Sequence, residues 1–381
     1  MTCRELSGAG LEPTPDNMNS INYTELSSHE GTRSEFNPGK TVIKLGIDMH
    51  QEHYVVVVQE GGGNPKPAQR FKPGTFLGWA AKLKQKGGME IHAVYEACGF
   101  GFGLQRQLAA LGIACHVVCP QKLDERNKRV KTDGLDAKAL CLKLDRFVEG
   151  NREALAVVRV PTPEEEQLRA IHRQREQLVK TRKRLEAQGR SLMVNHGIEP
   201  VQRWWKPRAF SVLGVPEWMK ELLANSQPIL VGLEEKIRAL TAQLQAAASP
   251  RQPRGLGLMT SVVIDREIGN WHRFVNRRQV GSYTGLCSGE YSSGQTRLQT
   301  CVTKHGNPRL RAALVELAWR LVRFQPEYKP IIKWRRVLAK GALATGAARK
   351  KAIVAVARQL AVDLWRIRTG RLQPEQLGLS I

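Results

Sequence analysis

The chain has 381 residues, of which 41% are hydrophobic and 25% charged, so folded cores can form and wholesale disorder is excluded. At about 100–200 residues per domain, this length predicts two or three domains. Lys and Arg total 59 against 35 for Asp and Glu, a net charge of +24, which indicates a polyanionic partner, either nucleic acid or an anionic membrane surface. No lipidation motif or Trp/Phe-rich interfacial helix accompanies the charge, so nucleic acid is favoured. The longest purely aliphatic run, at 55–58, is far shorter than the roughly 20 apolar residues of a membrane-spanning helix.

Residues 1–40 contain 6 acidic and 3 basic side chains among Ser, Asn, Gly and Pro, without an apolar core. This composition predicts a disordered tail and differs from a secretory signal or an Arg-rich transit peptide. The seven cysteines are scattered and odd in number, which is typical of reduced thiols rather than of a disulfide framework. We therefore expect a cytoplasmic protein.

Residues 41–150 begin with three short β-rich runs and continue as alternating helical and β-rich segments. The order β-β-β-α-β-α-β indicates a mixed α/β sheet with a leading antiparallel meander. A basic loop at 122–131 then leads to a further helix. The predicted strands are 42–48, 54–59, 69–72, 90–96 and 113–119, and the predicted helices are 75–86, 104–111 and 133–147.

Residues 151–250 are helical and rich in charge. Apolar residues repeat every seven positions from Ile171 to Leu192, and a cleaner seam of alternating threes and fours runs from Leu230 to Leu244. This spacing is typical of an antiparallel helical hairpin or a dimerising coiled coil. Two amphipathic helices of an ordinary bundle explain it equally well.

Residues 251–381 hold most of the excess charge, with 24 basic against 7 acidic side chains. Ordinary solvated surfaces mix both signs, so this imbalance favours a surface that neutralises nucleic-acid phosphates. The helices predicted in this part of the chain are 260–268, 309–323 and 349–368.

Four acidic residues stand where the fold can bring them together. Asp48 and Glu96 end the first and fourth predicted strands, and Asp133 and Asp136 lie three residues apart on one face of a helix start. If the two strands are neighbours, all four carboxylates converge at one edge of the sheet. Carboxylates suit Mg²⁺ or Mn²⁺ rather than zinc, and two such ions can assist phosphoryl transfer. The pattern favours an RNase H-like nuclease site over a helix cap at Asp133 or a surface acid at Glu96.

Other candidates have a simpler explanation. Cys115, His116 and Cys119 look like a metal-ligand fragment, but they lie in an apolar strand, and core packing is favoured. His50 is close to Asp48 and could touch substrate, although a surface histidine is the simpler interpretation.

Two further motifs leave their alternatives open. Trp204 and Trp205 could stack on RNA bases or pack at the tip of a hairpin. The Gly-Leu-Gly turn at 255–257 could present backbone N–H groups to phosphate or simply start a helix.

Six segments of the chain resemble one protein family, the insertion-sequence one-ten transposases (IS110/IS1111/IS116/IS902 type). Three look like its RuvC-like DEDD domain: Gly-Ile-Asp at 46–48, Tyr-Glu-Ala-Cys-Gly at 95–99 and Lys-Thr-Asp-Gly-Leu-Asp-Ala-Lys-Ala-Leu at 131–140. Three are similar to its C-terminal transposase domain: 279–286, Tyr-Ser-Ser-Gly at 291–294 and 303–311. The blocks stand in the family's order, and the resemblance covers about residues 41 to 370.

Pattern and resemblance together predict an α/β RNase H-like (RuvC-like) domain, a helical coiled-coil region and a mostly α-helical C-terminal domain. Their predicted bounds are 41–150, 151–250 and 251–381, after the tail at 1–40.

The resemblance implies that Asp48, Glu96, Asp133 and Asp136 are catalytic and bind Mg²⁺ or Mn²⁺. It also implies a serine nucleophile in the Ser-Gly element after Tyr, which places it at Ser293 and leaves the adjacent Ser292 open. The implied partners are donor and target DNA, a structured noncoding bridge RNA, and further protomers in a dimer or tetramer. In such multimers one protomer's serine joins another's carboxylate site.

The leading hypothesis is a metal-dependent DNA transposase, or recombinase, with a serine nucleophile. A RuvC-like hydrolytic junction endonuclease would use the carboxylates without Ser293, and a non-catalytic nucleic-acid-binding protein would use only the basic C-terminal third. The Tyr-Ser-Ser-Gly element favours the transposase over the endonuclease. The ordered carboxylates disfavour the non-catalytic protein.

Overall fold

A computed structural model describes residues 41–120, 132–248, 252–294, 296–339 and 341–381. The predicted tail at 1–40 and the predicted basic loop at 122–131 lie outside the described residues. The chain forms two compact units with their boundary between Val160 and Pro161. The predicted four-part division stays a prediction.

The first unit is built on a five-stranded mixed sheet with the strand order β3-β2-β1-β4-β5. The leading meander β3-β2-β1 is antiparallel, and β1, β4 and β5 run parallel to one another, as the predicted element order requires. The strands are β1 (Thr41–Met49), β2 (Tyr54–Glu60), β3 (Gln69–Phe71), β4 (Met89–Glu96) and β5 (Ala114–Val118). The helices are α1 (Pro73–Gln85), α2 (Gly103–Ala110) and α3 (Asp133–Val148).

Side chains alternate along the central strand β1, so its two faces build two different layers. Ile43, Leu45 and Ile47 are buried in a core that α1 and α2 complete. The opposite face carries Lys44 and Gly46 and packs against α3. The sheet is thereby covered by helices on both faces.

Helix α3 is held against β1 at two points. At Gly46, a Cβ atom would lie 2.1 Å from the carbonyl oxygen of Ala137, so only glycine allows this approach of helix and strand. Further along, the buried Lys44 ammonium donates hydrogen bonds to Asp145 at 2.6 Å and Glu149 at 3.3 Å. These contacts fix where α3 begins relative to the end of β1.

The second unit begins with two long helices, α4 (Pro163–Asn195) and α6 (Glu217–Ala246), with the short α5 (Pro207–Ser211) between them. Arg175 contacts Thr241 and Arg182 contacts Glu234, so the two long helices run antiparallel. Thr162 and Glu165 form a capping box that starts α4. The dimerising coiled coil stays a prediction.

The tip of this helical pair is closed by the tryptophans that interrupt the apolar repeat. Trp204 and Trp205 are 0% and 3% exposed in a core with Met193 and Met219. Gly189 makes room for the Trp204 ring, which a Cβ atom there would meet at 2.4 Å. Of the two interpretations of these tryptophans, packing is therefore the one observed.

The rest of the second unit is a helical core that carries one two-stranded hairpin, β6–β7. The helices agree with the three predicted there, and Gly257 is the N-cap residue of the first, as the helix-start interpretation requires. The hairpin was not predicted. The elements are α7 (Leu258–Ile268), α8 (Arg277–Thr284), β6 (Ser288–Ser293), β7 (Thr296–Val302), α9 (Pro308–Phe324), α10 (Lys329–Lys333), α11 (Arg335–Leu338) and α12 (Gly346–Arg368). Among the described residues, no helix combines the length and apolar character needed to cross a membrane.

The Gly46→Ala variant should be destabilised by roughly 1–3 kcal/mol, because its methyl group must displace the backbone of α3. The matched control is Gly78→Ala, since Gly78 is exposed inside α1 and its new Cβ meets nothing within 4 Å. That variant should be neutral or stabilised by about 0.5–1 kcal/mol. Urea denaturation of both variants measures the difference, and equal stabilities would contradict the role of Gly46.

Candidate active site

The candidate site begins where two neighbouring strands of the sheet end. β1 and β4 are parallel and hydrogen-bonded, with Ile47 and Tyr95 paired in register. Asp48 and Glu96 each follow this pair by one residue and therefore stand at the same edge. The adjacency of the first and fourth strands, on which the sequence argument depended, is confirmed.

The other two predicted acids lie in the first turn of α3. Asp133 and Asp136 are its first and fourth residues, and the alternation along β1 turns Asp48 toward the face that α3 covers. Burial raises the pKa of Asp48, the nearby His50 lowers it, and the charges of Asp133 and Asp136 raise it again, with a net upward shift. These three carboxylates thus interact electrostatically at one edge of the sheet.

Two histidines in the turn between β1 and β2 extend this group. His50 Nε2 lies 3.2 Å from Asp48 Oδ2 and 3.4 Å from Asp133 Oδ2. His53 Nε2 lies 4.0 Å from the same Asp133 oxygen, and an Arg70 guanidinium nitrogen lies 3.8 Å from it. His50 is thus a partly exposed histidine that contacts two of the predicted carboxylates, and its contact with substrate stays a prediction. His53 and Arg70 were not predicted, although the spacing Asp-x-His-x-x-His at 48–53 was a visible signal.

The predicted nucleophile Ser293 lies in the second unit, at the end of β6. It pairs with Thr296 across the hairpin, it is exposed, and the following Gly294 has a φ of 56°, the left-handed conformation that a tight turn needs. Ser292 points to the other face, because its Oγ donates a 2.7 Å hydrogen bond to Glu290. Among the described residues, no side-chain hydrogen bond to Ser293 is found.

The face of the hairpin opposite Ser293 is held by an ion pair. Arg297 contacts Glu290 at 2.8 Å, and hydrogen bonds from Arg297 and Ser292 lower the pKa of the Glu290 carboxyl. Ser292 is therefore part of a local network, whereas Ser293 shares its face with the exposed Tyr291 and Leu298.

Cys115 and His116 do not belong to the site. They lie on β5, where burial raises the pKa of the Cys115 thiol to about 12 and lowers the pKa of His116 to about 4. Among the described residues, the one group with metal-ligand geometry is His50, His53 and Asp133. Core packing at Cys115 agrees with the interpretation favoured from the sequence.

Comparison with known proteins decides the family. Residues 45–197 match the DEDD transposase model of the IS110 type, and residues 251–332 match the model of the transposase IS116/IS110/IS902 family. The Sinorhizobium fredii protein y4rJ, whose name assigns it to the transposases, is 32% identical over 366 residues, which are 85% of this chain and 91% of that protein. This chain belongs to the IS116/IS110/IS902 family of transposases. The transposase for insertion sequence element IS1111A of Coxiella burnetii is 24% identical over 87% of this chain and 90% of its own length.

The family assignment agrees with the two candidate regions. Asp48, Glu96, Asp133 and Asp136 all fall within the DEDD match, and Ser293 falls within the C-terminal match. A DEDD-type domain implies the use of a divalent metal. Oxygen donors with mutually repelling charges, together with imidazole nitrogens beside them, are a donor set that fits such an ion.

A buried glutamate in this transposase ties the long helices to the base of the Ser293 hairpin. Glu267 on α7 is fully buried, and its carboxylate accepts hydrogen bonds from His172 at 2.7 Å, from Arg173 at 2.9 and 2.8 Å, and from Asn307 at 2.7 Å. Asn307 also caps α9 through its side-chain oxygen, and its N–H bonds to Tyr283 just before the hairpin. The Glu267 cluster, composed of these residues, was not predicted from the sequence.

The charge of Glu267 is stabilised by its partners. Burial opposes ionisation, but the hydrogen bonds from His172, Arg173 and Asn307 outweigh it and hold the pKa of this carboxyl well below its usual range. A lowered folded-state pKa stabilises the fold above the unfolded-state pKa, and this stabilisation is lost as the pH falls through the folded value.

Glu267→Gln should lower the free energy of unfolding by about 3 kcal/mol near neutral pH, because it leaves the Arg173 guanidinium without its carboxylate. The variant should also lose less stability than the wild type between about pH 6 and 3, since the titrating group is gone. The control is Glu316→Gln, whose side chain is 74% exposed, and its stability should be unchanged. Chemical denaturation at several pH values tests both expectations. Equal pH dependence in wild type and Glu267→Gln would contradict them.

Proposed function

We propose that this transposase cuts and rejoins DNA strands at the ends of an insertion sequence by metal-assisted phosphoryl transfer with Ser293 as the nucleophile. The observation that carries the proposal is the convergence of Asp48 with Asp133 and Asp136 at the edge where β1 and β4 end. The names of relatives such as the IS1111A transposase support the insertion-sequence substrate.

The proposed metal-binding residues are Asp48, Glu96, Asp133 and Asp136. A bound Mg²⁺ or Mn²⁺ would supply Lewis-acid stabilisation of the oxygens that gain charge on the transferring phosphoryl group. The protein would hold the carboxylates in place. The close packing of α3 against β1 at Gly46, which fixes the position of Asp133 and Asp136, supports this role. Burial, together with the charges of Asp133 and Asp136, raises the pKa of Asp48 and so disfavours its ionisation in the absence of a cation.

The proposed nucleophile acts by exchange of one phosphodiester bond for another. Ser293 Oγ loses its proton to a base and bonds to the phosphorus, the bond from phosphorus to the deoxyribose oxygen breaks, and that oxygen takes up a proton. The phosphodiester energy is kept in the protein–DNA bond, so rejoining needs no ATP. The exposure of Ser293 and the engagement of Ser292 with Glu290 support Ser293 as the attacking residue.

The proposed partners are donor and target DNA, a structured noncoding RNA and further copies of the chain. The 24 basic against 7 acidic side chains of residues 251–381 support nucleic-acid binding. Leu222 and Ile229 lie seven residues apart on α6 and are 53% and 54% exposed, which supports assembly through the long helices.

Asp48→Asn should abolish DNA strand cleavage without weakening the fold. The fold disfavours the charge on Asp48, whose pKa is raised, so removing that charge should leave the midpoint of thermal unfolding unchanged or higher in metal-free buffer. Glu60→Gln is the control, because Glu60 is an exposed acid of the same sheet that pairs only with Lys66 among the described residues. Near-wild-type cleavage by Asp48→Asn in Mg²⁺ would overturn the proposed centre.

Ser293→Ala should abolish the covalent protein–DNA adduct that a suicide DNA substrate traps, because no hydroxyl remains to attack the phosphorus. Ser292→Ala is the matched control and should keep the adduct. Denaturing gels and peptide mass spectrometry identify the adduct and its residue. Full recombination by Ser293→Ala would exclude a serine nucleophile at this position, and strand cleavage without an adduct would instead support a hydrolytic endonuclease.

A further inference from the structure

The turn between β1 and β2 aims two imidazole rings at one carboxylate oxygen. Met49 pairs with Tyr54 across the strands, and the His50 N–H donates to the His53 carbonyl at 2.9 Å, which closes a tight turn. The two rings stack with centroids 4.8 Å apart and an angle of 23° between their planes. Both Nε2 atoms therefore lie near Asp133 Oδ2, His50 at 3.4 Å and His53 at 4.0 Å.

The His53 nitrogen is buried without a hydrogen-bond partner among the described residues. A distance of 4.0 Å to Asp133 is too long for a direct hydrogen bond. Buried ring nitrogens are ordinarily satisfied by a donor, an acceptor or a metal ion. The geometry leaves room between His53 and Asp133 for an atom that binds both.

The separations of the donor atoms match ligands around one ion. The donors of His50, His53 and Asp133 all lie within 4.8 Å of one another. Around an octahedral ion with bonds of about 2.1 Å, neighbouring donors are about 3 Å apart and opposite donors about 4.2 Å apart. The observed distances of 3.4 and 4.0 Å from the two Nε2 atoms to Asp133 Oδ2 fall between these values. A shift of these side chains by roughly half an ångström would bring all three donors to bonding distance from one ion.

We infer that His50, His53 and Asp133 form a metal position with two nitrogen donors that takes a first-row transition ion such as Mn²⁺ in preference to Mg²⁺. This inference rests on the proposed carboxylate centre, with which the position shares Asp133. Mg²⁺ prefers oxygen donors, whereas imidazole raises the affinity for transition ions. Asp48, whose Oδ2 lies 3.2 Å from His50 Nε2, can contribute a further oxygen.

Electron paramagnetic resonance of the full chain with Mn²⁺ as the probe tests this directly. Pulsed spectra of the wild type should show nitrogen hyperfine coupling from directly bound imidazole. The coupling should weaken in His50→Gln and in His53→Gln and vanish in the double variant. Mn²⁺ affinity should fall about tenfold or more in the double variant, while Mg²⁺ affinity changes much less.

The control variant is His196→Gln, which alters an exposed histidine of the second unit and should keep the spectrum and both affinities. Circular dichroism and thermal unfolding show whether each variant is folded. If the double variant does not fold, the weakened nitrogen coupling of the two single variants tests the inference. Mn²⁺ that binds the wild type without nitrogen coupling, or with coupling that survives in the double variant, would overturn the inference.

DNA cleavage separates this inference from the proposed function. If Mn²⁺ binds without nitrogen coupling while Asp48→Asn still abolishes cleavage, the histidines act only as charge partners of the carboxylates, and the proposed centre stands without them. If wild-type protein cleaves DNA but Asp48→Asn does so equally well, the proposed centre itself fails.

Discussion

The close contact of α3 with β1 at Gly46 is the constraint on which the candidate site depends. A side chain at this position would collide with the backbone of Ala137 and Cys141, so the helix could not lie where it does. The ion pair of Lys44 with Asp145 holds the far end of the same helix. Two contacts along one strand thus determine where the first turn of α3, with its two acids, meets the end of the sheet.

That placement concentrates negative charge that the protein compensates only in part. Burial and two neighbouring acids raise the pKa of Asp48, while His50 lowers it. His53 and Arg70 approach Asp133 at 4.0 and 3.8 Å, distances at which attraction acts without a direct hydrogen bond. Such a cluster of charges lowers the free energy of unfolding relative to neutral side chains at the same positions. A cation that binds the folded protein would recover this free energy.

In the second unit, Ser293 lies exposed on a two-stranded hairpin that projects from a helical core. The hairpin itself is exposed, so its position depends on the elements at its two ends. Gly285 and Gly306 allow the backbone of these ends to touch, and Asn307 connects them to the buried Glu267. Because Glu267 also binds Arg173 of α4, the long helices and the base of the hairpin form one packed structure.

The sequence by itself determined the local parts of this protein. Strand-terminal Asp48 and Glu96, the helical pair Asp133 and Asp136, and the order of strands and helices along the chain follow from side-chain periodicity and turn signals, which act over a few residues. The pairing of β1 with β4, which the sequence argument took as a condition, was decided by the tertiary structure. Tertiary structure decided what depends on distant partners. One example is the approach of His53 to Asp133, 80 residues further along the chain, and another is the burial of Glu267 among donors from α4 and from the N-cap residue of α9. Such contacts leave no periodic signal, because their energies arise only when the packed fold has removed the groups from water.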